Sequence, residues 1–127
     1  MANENAVGWF EIPVTDMERA MRFYQDVFEV ALERNQMGPL DMAWFPWVEG
    51  GTGSGGSLVK NEMYKPSMDG VLIYFTAHSG DLADELARVE GAGGKVLMQK
   101  MLISDDIGFM GLCLDTEGNR FAIHSRQ

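Results

Sequence analysis

Glu11 is the side chain best suited to chemistry, because it lies in a segment whose residues alternate in character. If residues 9–14 form a strand, Trp9, Glu11 and Pro13 share one face and an apolar set occupies the other. A carboxylate on a ligand-facing strand can act as a general base or anchor a cation. Pairing with an arginine, or contact with water at the rim of the site, is the alternative reading.

His124 is the second candidate, at the end of a segment in which Arg120, Ala122 and His124 share a face by a period of two. An imidazole there can serve as acid, base or ligand. A histidine so near the last residue can equally be solvated and without a role. His78 lies in a predicted loop and receives no role. Cys113 lies between two leucines, which indicates an inert buried thiol.

Tryptophan and phenylalanine are concentrated in residues 42–48, which is typical of a strand with an aromatic surface. Indole rings offer a large apolar contact area and stack on planar or cationic groups. Core packing or a dimer interface explains such residues equally well. Together with the acid–base candidates, they give a predicted ligand-binding set of Trp9, Glu11, Phe45, Trp47 and His124, with Glu11 as the catalytic candidate.

Residues 51–56 match the pattern G-x-G-x-x-G found in dinucleotide-binding proteins. That motif requires a helix immediately afterwards, because the helix N-terminus binds the pyrophosphate. Residues 57–60 (Ser-Leu-Val-Lys) are short and β-like instead. We therefore predict a flexible hairpin connection at this position.

The 127 residues are enough for one domain with a sizeable core. The net charge of −9 argues against nucleic acid and anionic membrane surfaces as partners. No apolar run approaches the ~20 residues of a membrane span. A single cysteine, and an N-terminus without the basic and apolar regions of a signal peptide, predict a cytoplasmic protein.

Two similar series of elements are predicted to position the candidate residues. In the first series, Thr15 and Glu18 fit a capping box at the start of a helix over residues 17–28. In the second, Asp81 fits the N-cap of a shorter helix. Strands are predicted at 9–14, 31–36, 42–48, 57–60, 71–76, 95–101, 109–114 and 120–124, with 71–76 buried on both faces.

The order βαβββ therefore occurs twice, in a module over about residues 5–62 and a second module over about 69–126. Trp9 and Val71 are predicted to be equivalent, 62 residues apart. Two such modules within residues 1–127 predict a single α+β domain, in which they pair to form a cup-shaped mixed sheet around a shared cavity.

Several segments resemble the vicinal oxygen chelate superfamily, which includes glyoxalase I, bleomycin-resistance proteins and extradiol dioxygenases. Residues 10–28 resemble the first strand, aspartate and helix of that family, with Phe23 and Tyr24 at its Phe-Tyr pair. Residues 114–123 resemble its closing turn and strand, with Thr116 in place of the usual proline. The resemblance implies a glyoxalase-like fold over nearly the whole chain.

Enzymes of this family bind a divalent metal through one His or Glu on each of four strands. The resemblance assigns three of those positions to Trp9, Val71 and Ala122, and the other to the strand at residues 57–60, which contains no carboxylate or imidazole. Tryptophan, valine and alanine side chains have no lone pair that a divalent metal can use. No metal or other cofactor is therefore expected.

The leading hypothesis is a metal-independent protein of the glyoxalase/bleomycin-resistance type that binds a small molecule of aromatic or cationic character. The first alternative is a lyase or isomerase with Glu11 as base, with or without a non-standard metal site that includes Glu11 and His124. The second alternative is an accessory dimer with a filled cavity. The resemblance implies association through the sheets, so we expect a homodimer.

Overall fold

The computed structural model describes residues 5–127, which form eight strands and two helices. The first four residues, part of the segment without signal-peptide features, lie outside the described residues. Neither helix of the described part has the length and apolar character needed to cross a membrane. The elements in chain order are β1 (Trp9–Pro13), α1 (Met17–Phe28), β2 (Glu33–Met37), β3 (Leu40–Trp44), β4 (Gly55–Lys60), β5 (Tyr74–Thr76), α2 (Leu82–Val89), β6 (Lys95–Ser104), β7 (Gly108–Leu114) and β8 (Arg120–Ser125).

The strands form two mixed sheets of four strands each, one from each module. The first sheet has the order β1-β4-β3-β2, and the second has the order β5-β8-β7-β6. One pair in each sheet is parallel, β1 with β4 and β5 with β8, and the remaining pairs are antiparallel. The predicted α+β class and the repeated order βαβββ are therefore confirmed.

Helix α1 begins at a different cap from the one that the sequence predicted. Asp16 is the N-cap, and its carboxylate accepts a hydrogen bond from the backbone N–H of Arg19 at 3.0 Å. Thr15, the predicted cap, instead donates its hydroxyl to Glu117 at 3.0 Å. The capping-box prediction was wrong because a carboxylate from the far end of the chain takes Thr15 as a donor.

Strand β1 has the predicted alternation. Ile12 and Val14 are buried, whereas Trp9 is exposed and Glu11 is half-buried. The buried face joins a core to which helix α1 contributes its own apolar face, the residues Met17, Ala20, Phe23, Tyr24, Val27 and Phe28. The period of two in β1 and the helical period in α1 therefore direct their apolar side chains to the same core.

Aromatic side chains from both modules meet in this core. Tyr24 of α1 contacts Phe45 from the first module and Phe121 from the second, with ring centroids 5.7 Å apart in both pairs. Phe75 of β5 lies 5.8 Å from Phe10 of β1. Each such pair contributes roughly 0.5–1.5 kcal/mol beyond the burial of its area. The core covers one face of each sheet and leaves exposed side chains on the opposite face.

Hydrogen bonds at the ends of the parallel pairs define which residues of the two modules are equivalent. In the first sheet, Val14 N–H donates to the carbonyl of Val59 at 2.9 Å. In the second sheet, Ala77 N–H donates to the carbonyl of His124, also at 2.9 Å. The first strands of the two modules are therefore related by an offset of 63 residues, the difference between 77 and 14.

This offset makes Glu11 equivalent to Tyr74 and Trp9 equivalent to Leu72, so the predicted equivalence of Trp9 and Val71 was wrong by one residue. Val71 precedes β5 and is 91% exposed. The predicted strand at 71–76 is shortened to Tyr74–Thr76, and Tyr74 is 49% exposed. The prediction that this strand is buried on both faces was therefore also wrong, because one face of the second sheet is open.

A buried carboxylate joins the closing turn of the second module to the start of helix α1. The Glu117 side chain is fully buried and accepts hydrogen bonds from the backbone N–H groups of Thr15 and Asp16, both at 2.9 Å, and from Arg19 Nε at 2.7 Å. Burial raises the pKa of Glu117, but the hydrogen bonds from Arg19 and from the two backbone amides outweigh it and lower the pKa to about 2. We call this arrangement the Glu117 clamp.

Candidate functional site

The open face of the first sheet carries Trp9 and Glu11. Cross-strand pairing sets Glu11 opposite Ser57, and Ser57 opposite Trp44, so that these three side chains project from the same face. An open depression of about 380 Å³ on this face has a volume typical of a small-molecule site. We call it the cup face, and its lining side chains are Trp9, Glu11, Met37, Leu40, Met42 and Trp44.

Glu11 is held on the cup face by neutral donors. One carboxylate oxygen accepts a hydrogen bond from the Tyr64 hydroxyl at 2.9 Å, and the other accepts one from Trp9 Nε1 at 3.3 Å. The hydrogen bond to Glu11 raises the pKa of Tyr64, which keeps the phenol protonated as a donor. None of the ion pairs within residues 5–127 includes Glu11. No cationic side chain of this part of the protein therefore neutralises the carboxylate.

Three tryptophans surround this carboxylate and the neighbouring strand. Trp9 is 39% exposed and contacts Trp44 edge to face, with centroids 5.4 Å apart and planes at 72°. Trp47 follows the end of β3 and lies next to Trp9 across Gly55. A Cβ at Gly55 would lie 3.2 Å from Trp47 Cβ and 3.3 Å from Trp9 Cζ3. The absence of a side chain at Gly55 therefore makes room for two indole side chains.

The structure brings Trp9, Glu11 and Trp47 together, whereas Phe45 and His124 lie elsewhere in the protomer. Phe45 belongs to the aromatic core, where it contacts Tyr24. His124 lies on β8 of the second sheet, with Nε2 2.7 Å from the carbonyl oxygen of Ile107. A carbonyl oxygen only accepts hydrogen bonds, so this ring nitrogen carries the proton.

Sequence reasoning gave no role to Tyr64 or Ser57, and it treated Trp44 as part of the aromatic segment without foreseeing its buried N–H group. Tyr64, from the connection between the modules, is the donor to Glu11. Trp44 Nε1 and Ser57 Oγ are buried and have no hydrogen-bond partner in the described part of the chain. The pairing of β4 with β1 and β3 is what shows that Ser57 lies on the same face as Glu11.

The side chains present do not fit the divalent metal that enzymes of the resembled family bind. Within residues 5–127, no three His, Cys, Asp or Glu side chains come together in a way that could hold a metal ion. Trp9 and Ala122 supply no ligand atom, and Ala122 is fully buried. Val71 lies outside the strands, and Leu72, the residue equivalent to Trp9, is also apolar.

The fold agrees with one protein family. Residues 6–123 match the family model of the Glyoxalase/Bleomycin resistance protein/Dioxygenase superfamily, and the chain belongs to that superfamily. The resemblance inferred from the strand–helix motif and the closing turn is thus confirmed. No curated protein gave a significant sequence match.

Several solved structures share the fold at low sequence identity. Hypothetical protein SA1046 from S. aureus has a TM-score of 0.69 and 17% identity, over 97% of this chain and 95% of that one. TnmS3, an antibiotic binding protein from Streptomyces sp. CB03234, has a TM-score of 0.65 and 19% identity, over the full length of both chains. Glyoxalase I from Zea mays has a TM-score of 0.68 and 17% identity, and the match covers 93% of this chain but 43% of the maize enzyme. At such identities the likeness concerns the fold alone.

Proposed function

We propose that this chain is a small-molecule-binding protein that holds a planar cationic or aromatic ligand on the cup face, without a metal or other cofactor. The observation that carries the proposal is the Glu11 carboxylate, which has neutral hydrogen-bond donors and lies beside the exposed indole of Trp9. A carboxylate and an aromatic face both attract cations, and the indole also stacks on planar rings. The single cysteine, Cys113, is a free buried thiol, which supports a cytoplasmic location as part of this proposal.

One structural neighbour supports binding as the general activity. TnmS3, which has the same fold, is an antibiotic binding protein, so this fold can serve ligand binding. In the present chain, the replacement of the expected metal ligands by Trp9 and Ala122 supports the same conclusion. The physiological ligand is a small molecule of the stated chemistry.

Trp9→Ala is the first test of the proposal. We expect it to remove most of the ligand-induced rise in Tm, with binding weakened by about tenfold or more, because the stacking and cation–π surface is lost. The fold should remain, since Trp9 is 39% exposed. Thermal unfolding and titration calorimetry with benzamidine and other planar aromatic cations measure both effects.

The control is Met63→Ala, which removes another exposed apolar side chain, 85% exposed and outside the cup face. It should bind like the wild type. An unfolded Trp9→Ala protein would assign Trp9 to the core, and an unchanged ligand response would contradict the proposed site. No ligand response in the wild-type protein would favour an accessory dimer instead.

We further propose that the chain is a homodimer in which the cup face of each protomer is closed by the second sheet of its partner. The open face of the second sheet carries Tyr74, Met98, Met101, Met110 and His124, and we call it the second-sheet face. Tyr74 and Met101 are 49% and 46% exposed, and exposed apolar patches of this kind are typical of interfaces. Two-fold symmetry would create two equal cups. Sedimentation velocity tests for a particle of twice 14.1 kDa.

A lyase or isomerase is the second candidate function, favoured by the position of Glu11 on an open face with the Tyr64 hydroxyl 2.9 Å away. Glu11 would accept a proton from the substrate, and Tyr64 would be a donor close to the reacting atoms. This reading needs no metal in the proton transfer.

Glu11→Gln distinguishes the two functions. As a base, Glu11 is needed for turnover and much less for binding, so the variant should bind the compound and fail to convert it. As a cation anchor, Glu11 is needed for binding itself, so the variant should lose affinity for cations. Titration calorimetry measures the binding of a compound to each variant, and mass spectrometry measures its conversion. Glu62→Gln, at an exposed position outside the cup face, is the control. Turnover retained in Glu11→Gln would contradict the proposal that Glu11 is the catalytic base.

A further inference from the structure

Two buried polar atoms on adjacent strands have no hydrogen-bond partner in residues 5–127. They are Ser57 Oγ on β4 and Trp44 Nε1 on β3, and the two residues are direct cross-strand partners. Ser57 is wholly buried. Buried polar groups in folded proteins are nearly always hydrogen-bonded, and a group without a partner destabilises the fold. Two such atoms on paired residues therefore call for an explanation.

Cross-strand pairing makes these residues part of one row with Glu11. Glu11 pairs with Ser57 on the parallel side of β4, and Trp44 pairs with Ser57 on its antiparallel side. Adjacent strands are about 5 Å apart, so the backbones of Glu11 and Trp44, at the two ends of the row, are about 10 Å apart. It offers an acceptor at one end and two donors, a hydroxyl and an indole N–H, towards the other.

The second module contains an internal control for this row. The residues equivalent to Glu11 and Ser57 are Tyr74 and Ala122, and Leu112 pairs with Ala122 as Trp44 pairs with Ser57. Ala122 is fully buried, like Ser57, so the fold accepts alanine at this position. The hydroxyl and the indole N–H are therefore features of the first module alone, and the fold does not require them.

We propose that the row Glu11–Ser57–Trp44 selects the ligand of the cup face, and that this ligand is a planar cation that also carries a carbonyl-type oxygen. The cationic N–H groups donate to Glu11, while the two lone pairs of the oxygen accept from Ser57 Oγ and Trp44 Nε1. The ligand thereby satisfies the two donors that the protein leaves without a partner. This inference rests on the proposed binding function and specifies its ligand class.

The test compares three related compounds on the full-length protein. Benzamidine supplies the planar cation, 4-amidinobenzamide adds a carbonyl oxygen at the opposite end of the ring, and terephthalamide keeps that oxygen without the charge. We expect the wild type to bind 4-amidinobenzamide more tightly than either of the others. In Ser57→Ala and Trp44→Phe, affinity for 4-amidinobenzamide should fall about tenfold, while affinity for benzamidine stays within about twofold.

Ligand-free stability provides a second measurement that does not depend on the choice of compound. Ser57→Ala removes a buried hydroxyl without a partner and recreates the alanine of the second module, so its Tm should equal or exceed that of the wild type. Thr52→Ala, an exposed loop position, is the control for removal of a hydroxyl.

The outcomes separate this inference from the proposed function. Equal affinity of Ser57→Ala and wild type for 4-amidinobenzamide would overturn the selecting row while leaving binding on the cup face intact. A lower Tm of ligand-free Ser57→Ala would also overturn it, because the hydroxyl would then have a structural partner. If the wild type binds none of the three compounds, the proposed cationic ligand and the inference that depends on it are both contradicted.

Discussion

Glu117→Ala is expected to lower the free energy of unfolding by about 2 kcal/mol, because it removes a buried carboxylate that accepts several hydrogen bonds, while Arg19, its ionic partner, is 44% exposed and becomes hydrated. The variant leaves the backbone N–H groups of Thr15 and Asp16 without their acceptor at the start of α1. The Glu117 clamp also connects residues about 100 positions apart in the chain, so its loss loosens one module from the other. Urea unfolding followed by circular dichroism measures the change.

The same carboxylate predicts how stability depends on pH. Its pKa is lowered from an ordinary value of 4.5 to about 2 in the folded protein. A carboxyl group with a lowered folded-state pKa stabilises the fold above its unfolded-state pKa, and this contribution disappears as the pH falls towards the folded-state pKa. We therefore expect wild-type stability to fall between about pH 4.5 and pH 2. Glu117→Gln does not titrate at this position, so its stability should fall less steeply over that range.

Glu62→Ala is the matched control for Glu117→Ala, since it removes an exposed carboxylate from the connection between the modules. Its unfolding free energy should stay within about 0.5 kcal/mol of the wild-type value. A loss of less than about 1 kcal/mol in Glu117→Ala, or the same acid dependence in Glu117→Gln and wild type, would mean that the clamp contributes little to stability.

The elements of the fold were predictable where local patterns and long-range contacts agree. The alternation of residues 9–14 and the helical spacing of α1 direct apolar side chains to the same core, and both predictions agree with the structure. Asp81 is the N-cap of α2, as predicted, with its carboxylate accepting a hydrogen bond from Ala83 N–H at 2.9 Å. In these segments the local signal and the tertiary contacts favour the same structure.

Errors occurred where a distant residue overrides the local pattern. Thr15 matches a capping box, but Glu117 recruits its hydroxyl and leaves the cap to Asp16. The run at residues 71–76 is apolar enough for a strand buried on both faces, yet only the part from Tyr74 onwards pairs with β8. Neither the position of Glu117 nor the pairing of β5 can be read from the local sequence.

The candidate site was predictable in part for the same reason. Trp9 and Glu11 lie on one strand, so the period of two is enough to place them on the same face. Ser57 and Trp44 join them only through the pairing of β4 with two other strands, and Tyr64 reaches Glu11 from 53 residues away. The places of Ser57 and Trp44 in the site therefore depend on the register between strands, and the place of Tyr64 depends on the path of the connection between the modules.

Mixing two inactive variants should restore part of the ligand binding if each cup contains the cup face of one protomer and the second-sheet face of the other. Trp9→Ala damages the cup face, and Tyr74→Ala damages the second-sheet face at the position equivalent to Glu11. Each homodimer of a single variant then has two damaged cups. A heterodimer has one cup that carries both substitutions and one cup that carries neither. Random assembly of equal amounts therefore leaves about one cup in four intact.

The co-expressed pair, Trp9→Ala with Tyr74→Ala, should accordingly recover about a quarter of the wild-type binding capacity for benzamidine, at wild-type affinity, in titration calorimetry. Trp9→Ala co-expressed with Glu11→Gln is the matched control, because both substitutions lie on the cup face and every cup of that mixture is damaged. Full binding by Tyr74→Ala alone would exclude the second-sheet face from the site. Failure of the first pair to recover any capacity, with heterodimers present by mass spectrometry, would mean that each site lies within a single protomer. Recovery in the first pair and none in the control would show that ligand binding requires the dimer. Each site would then need the cup face of one protomer and the second-sheet face of the other.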